Sequence, residues 1–256
     1  KENIPDNFVD LTVTSPPYDN LRTYKGFVFD YQSMFKELYR ITKPGGVVVW
    51  VVGDATINGS ETGTSFKQAL YAKDIGFNLH DTMIYEKAGF SNPSNNRYHQ
   101  VFEYMFIFSK GRPKTFNPLK DRKNKWNSGW GNTSNRQKNG ILIKKEKTTC
   151  NEYGMRFNIW RYANGKGFGQ KDEISYRHPA TFPEQLAQDH ILSWSNEGDI
   201  VLDPMCGAGT TCKMAWLNNR KFIGIDISEE YINDICKPRL KMYGWDENNL
   251  NNKLFK

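Results

Sequence analysis

The stretch Ile200-Val201-Leu202-Asp203-Pro204-Met205-Cys206-Gly207-Ala208-Gly209-Thr210-Thr211 restricts the possible folds of this 256-residue chain more than any other. Its aliphatic start reads as a buried strand, its glycines permit a tight turn, and the residues from Thr210 to about Asn218 continue as a helix. A buried strand running through a glycine turn into a helix is how a nucleotide site is built at the carboxyl edge of a parallel sheet. The spacing excludes two relatives of that site. There is no GxxxxGK[ST] phosphate cradle, and Gly207-Ala208-Gly209 lacks the third glycine of a dinucleotide fingerprint.

A ligand without a pyrophosphate fits better. Seventeen residues after Gly209 comes Asp226, at the end of the strand Phe222–Ile225, where a carboxylate can accept hydrogen bonds from both hydroxyls of a ribose. Asp203 stands where it can pair with an ammonium group. A ribose joined to a cationic amino acid describes S-adenosylmethionine, so Asp203, Pro204, Met205, Cys206, Gly207, Gly209, Thr210, Asp226 and Ile227 are the candidate cofactor residues. The plainer alternative is that the glycines only let helix and strand pack, and that Asp226 caps the next helix.

The rest of the pattern agrees with such a sheet. Val9–Ser15 is a β-branched strand stopped by Pro16-Pro17; Tyr31–Thr42 carries a helical apolar stripe ended by Lys43-Pro44-Gly45-Gly46; Val47–Val52 is a buried strand. A helix over Thr62–Ile75 and strands at Asp81–Tyr85 and Phe102–Phe108 follow. Regularity then dissolves and returns with a helix from Pro183 to about Trp194, the strand Ile200–Leu202, and a last helix from Ser228. Strand and helix in alternation predict a mostly parallel sheet covered on both faces. The tail after Trp245 reads as frayed.

Thr14-Ser15-Pro16-Pro17-Tyr18 ends the first strand, and that placement makes it more than a turn. Two prolines hold a hydroxyl and an aromatic ring at the carboxyl edge of the sheet at low entropic cost. A base flipped out of a duplex needs such a pair, with Tyr18 to stack on and the Ser15 hydroxyl and Pro16 carbonyl to accept the hydrogens of its exocyclic amine. Ser15, Pro16, Pro17 and Tyr18 are therefore the candidate catalytic residues. Taken alone, the segment reads equally as a rigid turn with a core tyrosine.

With both motifs in place, the chain resembles the permuted β group of amino-methylating DNA methyltransferases. In these the Pro-Pro-Tyr motif precedes the target-recognition region and the cofactor glycine loop follows it. The resemblance implies an α/β fold with a doubly wound, mostly parallel sheet of the seven-stranded type, circularly permuted, carrying a basic target-recognition insert. It implies a catalytic half over 1–109, target recognition over 110–177 and a cofactor-binding half over 178–256. It further implies S-adenosylmethionine as cofactor and double-stranded DNA as partner, and it is compatible with a homodimer and a cognate restriction endonuclease. The Ser-Pro-Pro-Tyr form is associated with N4 of cytosine, whereas Asp in place of Ser15 is the commoner form for N6 of adenine; adenine remains the alternative. His178-Pro179-Ala180-Thr181-Phe182-Pro183 resembles the motif that lines the cofactor pocket, which adds Thr181 and Phe182, although Phe182 also reads as core. Two departures are Met205, where the family has Phe, and the lack of a Gly-Asp strand before the first motif, so a segment upstream of Lys1 is expected.

Charge bears on the partner. Between Lys110 and Arg177 there are 17 Lys or Arg against 5 Asp or Glu, an excess larger than the net +7 of the whole chain, so the remainder is net acidic. Nine aromatics are interleaved in the same stretch. That mixture suits a phosphate backbone, with Arg122, Arg136, Arg156 and Arg161 as candidate DNA contacts, and it also describes a solvated basic loop. Arg22, Tyr24, Asn95 and Arg97, in polar loops beside the strands, are further candidates for closing over a nucleotide. Asp54 ends the second strand near the cleft and reads equally as a helix cap.

The four cysteines show no CxxC pair and no zinc spacing, which reads as a reduced cytoplasmic protein without a structural metal. None has the setting of the nucleophile of a cytosine-C5 methyltransferase, and Cys206 reads as packing. A glutamine methyltransferase would present Asn at Ser15 and an earlier glycine loop. A catalytically silent DNA-binding or cofactor-sensing module is the alternative from another class.

Overall fold

Val9, Leu11 and Val13 are fully buried, and so are Thr12 and Thr14 on the opposite face, so the first strand, β1 (Val9–Thr14), is a central one. Pro16 and Pro17 have no N–H to give to a ladder, and the strand ends before them. The computed structural model describes residues 4–19, 29–89, 95–125, 134–144, 150–248 and 253–255. They belong to two compact units, Lys1–Asn117 with Asn158–Lys256, and Pro118–Phe157.

In the larger unit β1 is joined by β2 (Thr42–Val52), β3 (Asn78–Lys87), β4 (Phe102–Ser109), β5 (Ile159–Tyr162), β6 (Ile200–Asp203), β7 (Lys221–Ile225) and β8 (Lys253–Phe255). The spatial order is β5-β3-β4-β2-β1-β6-β7-β8. Among these strands only β4 runs against the others. Helices connect them: α1 (Tyr31–Ile41), α2 (Thr64–Asp74), α3 (Glu184–Trp194), α4 (Thr210–Leu217) and, between β7 and β8, a helical segment over 229–241. No described helix is long and apolar enough to cross a membrane.

Both faces of the sheet are covered. Val48, Trp50 and Val52 pack with Phe106 and Phe108 under Phe35 and Leu38 of α1 and Ala69 and Ala72 of α2. The indole N–H of Trp50 would be orphaned in that core; it donates to Gln68 Oε1 at 2.8 Å. On the other face α3 lies over β4, where His190 Nε2 is 3.2 Å from Met105 Sδ. The first helix starts at a cap: Asp30 accepts from the N–H groups of Gln32 and Ser33, both at 3.1 Å. Asp30→Ala is expected to lower stability, read as a lower urea midpoint with unchanged slope.

Lys43–Gly46, expected as the end of α1, forms a bulge inside β2. The register steps from Val9↔Thr42 to Leu11↔Val47, and Gly45 takes a φ of +82° that only glycine adopts cheaply. Two expectations are corrected at the sheet edges. Ile159–Tyr162, read as part of an irregular insert, pairs in parallel with β3, because Trp160 and Tyr162 alternate inward while Ile159 and Arg161 face out. The tail, read as frayed, contributes β8, whose backbone pairs with β7. Residues 110–117 and 158–177 thus fold with the larger unit, leaving a compact insert narrower than 110–177.

The site follows from the strand order. From β1 the chain crosses through α1 to β2 on one side; from β6 it crosses through α4 to β7 on the other. Two crossovers that diverge from adjacent parallel strands open a crevice beyond their carboxyl ends. The register Leu11↔Val201 and Thr12↔Leu202 brings Thr14-Ser15 and Asp203-Pro204 out side by side, 189 residues apart in sequence.

The smaller unit has no buried residue among those described and is held by polar contacts. Arg122–Lys123 pairs with Tyr153–Gly154, and Ser134–Arg136 pairs with Leu142–Lys144. Arg156 Nε donates to Asp121 at 3.0 Å, and the Arg156 N–H donates to the Leu119 carbonyl at 2.9 Å.

Candidate active site

Beyond the ends of β1 and β6 lies a cleft of about 1610 Å³. Ser15, Pro16, Pro17 and Tyr18 line one side, and Pro204, Met205, Cys206, Gly207, Asp226 and Ile227 line the other. Thr181, Phe182 and Thr210 also face it. The two motifs are therefore walls of one space within the larger unit. Asp203 and Gly209 stand behind that wall.

On the first side Tyr18 is clamped at its hydroxyl. It donates to Glu103 Oε2 at 2.8 Å, and the Val51 carbonyl is a weaker acceptor at 3.4 Å. Lys87 Nζ holds the other Glu103 oxygen at 2.6 Å. Burial first, and then the Glu103 charge, push the Tyr18 hydroxyl well above its ordinary range, so it stays protonated. Ser15 Oγ is 2.9 Å from the same hydroxyl. A tyrosine has one proton to give and a carboxylate has none, so Ser15 must donate to Tyr18. Ser15 Oγ is left with lone pairs as its outward face, complementary to an amino group. The Tyr18 ring passes close over Gly53, where an added Cβ would sit 3.5 Å from ring atom Cε2.

On the second side the turn is built around Asp226. Its two carboxylate oxygens accept the Gly207 N–H at 2.9 Å and the Ser228 N–H at 2.8 Å. Each retains a lone pair toward the cleft for a ribose hydroxyl. The cap role and the ligand role are therefore compatible. Gly207 has a φ of +47°, and a Cβ there would be 2.6 Å from His178 Nε2, so only glycine leaves the cradle open. Gly209, with a φ of +72°, lies against Cys236 Sγ. Phe182 is half-buried and Ile227 is exposed, two apolar groups suited to the faces of an adenine.

Asp203, expected to pair with an ammonium group, does not itself line the cleft in this structure and ties the two motifs together. It is buried, accepts from Thr14 Oγ1 at 2.7 Å and from the Met205 N–H at 3.2 Å, and so fastens the end of β1 to the turn after β6. Burial pushes its carboxyl up to about 7, outweighing the hydrogen bonds that favour the charge. Between the ordinary carboxylate range and that value the folded chain holds a proton that the unfolded chain has released. Stability from this group is therefore present at low pH and lost as pH rises through 7. From pH 6 to 8 the loss is on the order of 1 kcal/mol. It should appear as the difference between the urea midpoints of the native chain and Asp203→Asn over that range.

Behind the turn is a buried four-charge network. Arg239 donates through Nε to Asp172 and through Nη2 to Glu184, both at 2.7 Å, and Lys213 donates to the same two carboxylates at 2.8 Å. Arg239 Nη1 also reaches the Ala208 carbonyl at 2.9 Å and Thr210 Oγ1 at 3.0 Å. Two cations balance two anions, which makes burial tolerable, and the spare donors pin the glycine turn from below. Glu184, in the first turn of α3, is part of this network.

The expected DNA contacts are dispersed. Arg22 and Tyr24 lie outside the described residues. Arg97 lines the cleft, donating to Thr56 Oγ1 at 3.0 Å and the Gly59 carbonyl at 2.8 Å, while Asn95 is exposed and does not line it. In the smaller unit Arg122 donates to the Met155 carbonyl and lies over the Phe157 ring, Arg156 is held by Asp121, and Arg136 is exposed. Arg161 stands on the edge strand of the larger unit, 3.7 Å from Glu86. Asp54 caps α2, accepting from the Ser65 N–H at 2.8 Å.

Sequence reasoning does not single out Glu103, Lys87 or His178 as site residues. A signal for Glu103 is present: it is the one charged residue in Phe102–Ser109, a strand otherwise aromatic and apolar but for its terminal serine.

Comparison with known proteins agrees with this geometry. The N6/N4 family model, described as DNA methylase, matches residues 9–237. The orphan methyltransferase M.BamHII of Bacillus amyloliquefaciens is 61% identical over 246 residues, covering 95% of this chain and 92% of that protein. Among solved structures, the PvuII DNA methyltransferase (cytosine-N4-specific) aligns with a TM-score of 0.65 at 19% identity, over 99% of this chain and 90% of that one. The M1.HpyAVI–SAM complex aligns with a TM-score of 0.59 at 22% identity, over 91% and 90%. Those two likenesses speak to the fold; the family match and the 61% relative speak to descent. Matched over residues 9–237 and 61% identical to a methyltransferase along nearly its whole length, this chain belongs to the family of N6/N4 DNA methylases.

Proposed function

We propose that this methylase transfers the methyl group of S-adenosylmethionine to N4 of a cytosine flipped out of double-stranded DNA. One observation carries the reading: the Ser15–Tyr18 loop and the Gly207 turn line a single cleft, with the Ser15 oxygen poised as an acceptor.

The residues present fit that cofactor. The open cradle at Gly207, the lone pairs of Asp226 and the apolar pair Phe182 and Ile227 match an amino-acid chain, a ribose and an adenine in turn. When bound, the cofactor supplies a methyl group on a positively charged sulfur, which an amine can displace directly. The protein's part is then to orient the amine. Tyr18 offers a ring for the flipped base, and Ser15 Oγ and the Pro16 carbonyl hold its two amine hydrogens, which turns the nitrogen lone pair toward the glycine turn. As the N–C bond forms, one amine proton must leave. Ser15 takes it while passing its own to Tyr18, whose proton passes to Glu103; Lys87 balances the carboxylate until then.

Cytosine is favoured by Ser15 in the position where the adenine form of the motif carries Asp. The basic insert is proposed to hold the duplex through phosphate contacts, so affinity should fall steeply with salt. The test is to incubate the chain with S-adenosylmethionine and mixed-sequence duplex DNA, digest, and analyse nucleosides by mass spectrometry. N4-methylcytosine is expected. N6-methyladenine in its place would overturn the base assignment, and cofactor binding without any methylated base would make the chain a silent module.

A further inference from the structure

Cys206, Cys212 and Cys236 have no metal-site spacing in sequence, yet the fold brings them together. Cys206 is in the glycine turn, Cys212 in the first turn of α4, and Cys236 in the helical segment 229–241 after β7. Their three sulfur atoms all lie within 4.8 Å of one another, and all three residues are buried. Two features distinguish this from chance packing. The sulfurs converge from three separate elements onto one point, and Cys236 Sγ sits so close to Gly209 that a Cβ there would collide with it.

We propose that these three thiols form a binding site for a soft, thiophilic d¹⁰ cation, located under the cofactor turn. Three sulfurs around such an ion at a metal–sulfur distance of about 2.3 Å are about 4.0 Å apart in a trigonal arrangement. The sulfurs are already within 4.8 Å, so the contraction needed is small. Soft cations select thiolate ligands over the oxygen ligands that surround this cleft. An entry path exists, because Cys206 lines the cleft while the other two lie behind it. On binding, three S–H protons leave to solvent as three sulfur–metal bonds form, and no oxidant or reductant is involved.

Occupation has a consequence for the turn. Cys206 is adjacent to Gly207, whose N–H is held by Asp226, and drawing its sulfur inward moves the backbone that must cradle the cofactor. The loaded chain should bind S-adenosylmethionine more weakly than the free chain. The site is an inhibitory one.

The experiment uses the full, reduced chain without cofactor and Cd²⁺ alone as probe. Titration should show one Cd²⁺ per chain with the ultraviolet charge-transfer band of cadmium–thiolate bonding. Cys212→Ser and Cys236→Ser should lose affinity by more than the roughly 10–100-fold that removing an outer partner costs a metal site. Cys150→Ser should bind as the native chain does. Alkylation in urea just below the unfolding transition, mapped by peptide mass spectrometry, covers variants that fail to fold: the three buried thiols react there only through opening of the native chain, and bound Cd²⁺ should slow Cys206, Cys212 and Cys236 together and leave Cys150 unchanged. Absence of stoichiometric binding, or protection that omits any of the three, overturns the proposal. None of these readouts involves methyl transfer, so a failed site and a failed reading of the enzyme would be told apart.

Discussion

Ser15→Ala is expected to lower kcat for DNA methylation by about 10²–10³-fold, the loss typical of one preorganised hydrogen-bonding group aimed at the reacting centre. The Kd for S-adenosylmethionine should stay within about 3-fold of the native value, because the side chain stands on the opposite wall of the cleft. The reasoning depends on the direction of the hydrogen bonds. Glu103 accepts from Tyr18, so Ser15 donates to Tyr18 and faces the substrate as an acceptor. Glu103→Gln tests that chain without removing any packing. A glutamine can turn its amide N–H toward Tyr18, reverse the order and leave no sink for the proton. A loss in kcat of about 10²-fold is expected, again with cofactor affinity unchanged. If either variant raised the cofactor Kd as much as it lowered kcat, the loop would be acting through the fold instead of on the base.

The second large effect is on the other wall. Asp226→Ala should raise the cofactor Kd by about 100-fold or more, since hydrogen bonds to a charged group contribute about 1.5–3 kcal/mol each and two ribose hydroxyls are involved. It also leaves the Gly207 and Ser228 N–H groups without their acceptor, so the turn itself loosens. Calorimetric titration with S-adenosylmethionine separates the two contributions when Asp226→Asn is run beside it. Asparagine keeps one oxygen acceptor, and its Kd should fall between those of the native chain and Asp226→Ala. At saturating cofactor, kcat should recover most of its native value in the Asn variant. Equal affinity in all three chains would mean that the carboxylate serves only as a cap.

The elements legible from sequence are those whose cause is local. A proline pair must stop β1, and a glycine pair after an aliphatic run must turn into α4; neither depends on what packs against it. Because those stops lie at the carboxyl ends of adjacent parallel strands, the cleft comes with them. What sequence misses depends on distant residues. Ile159–Tyr162 is too short and too isolated among Gly, Asn and Lys to announce a strand, and only β3 beside it makes one. Asp203 reads only as a ligand when seen within its own turn, and the bond from Thr14 that makes it a staple between two strands comes from 189 residues away. Cys236 is separated from Cys206 and Cys212 by most of a helix and a strand, so no spacing rule finds the cluster. Glu103 is findable: a lone carboxylate in a buried strand must have a partner, and here it has Tyr18 and Lys87.

The most direct measurement is a crystal structure of the chain with S-adenosylhomocysteine and a duplex containing its recognition site with the target base unmethylated. A cytosine stacked on the Tyr18 ring is expected, its amine hydrogens on Ser15 Oγ and the Pro16 carbonyl. Its nitrogen should face the cofactor sulfur with room for one methyl group, which would bring methyl carbon and nitrogen to about 3–3.5 Å in the reactive complex. A base bound elsewhere, or a sulfur turned away from that nitrogen, would contradict the account.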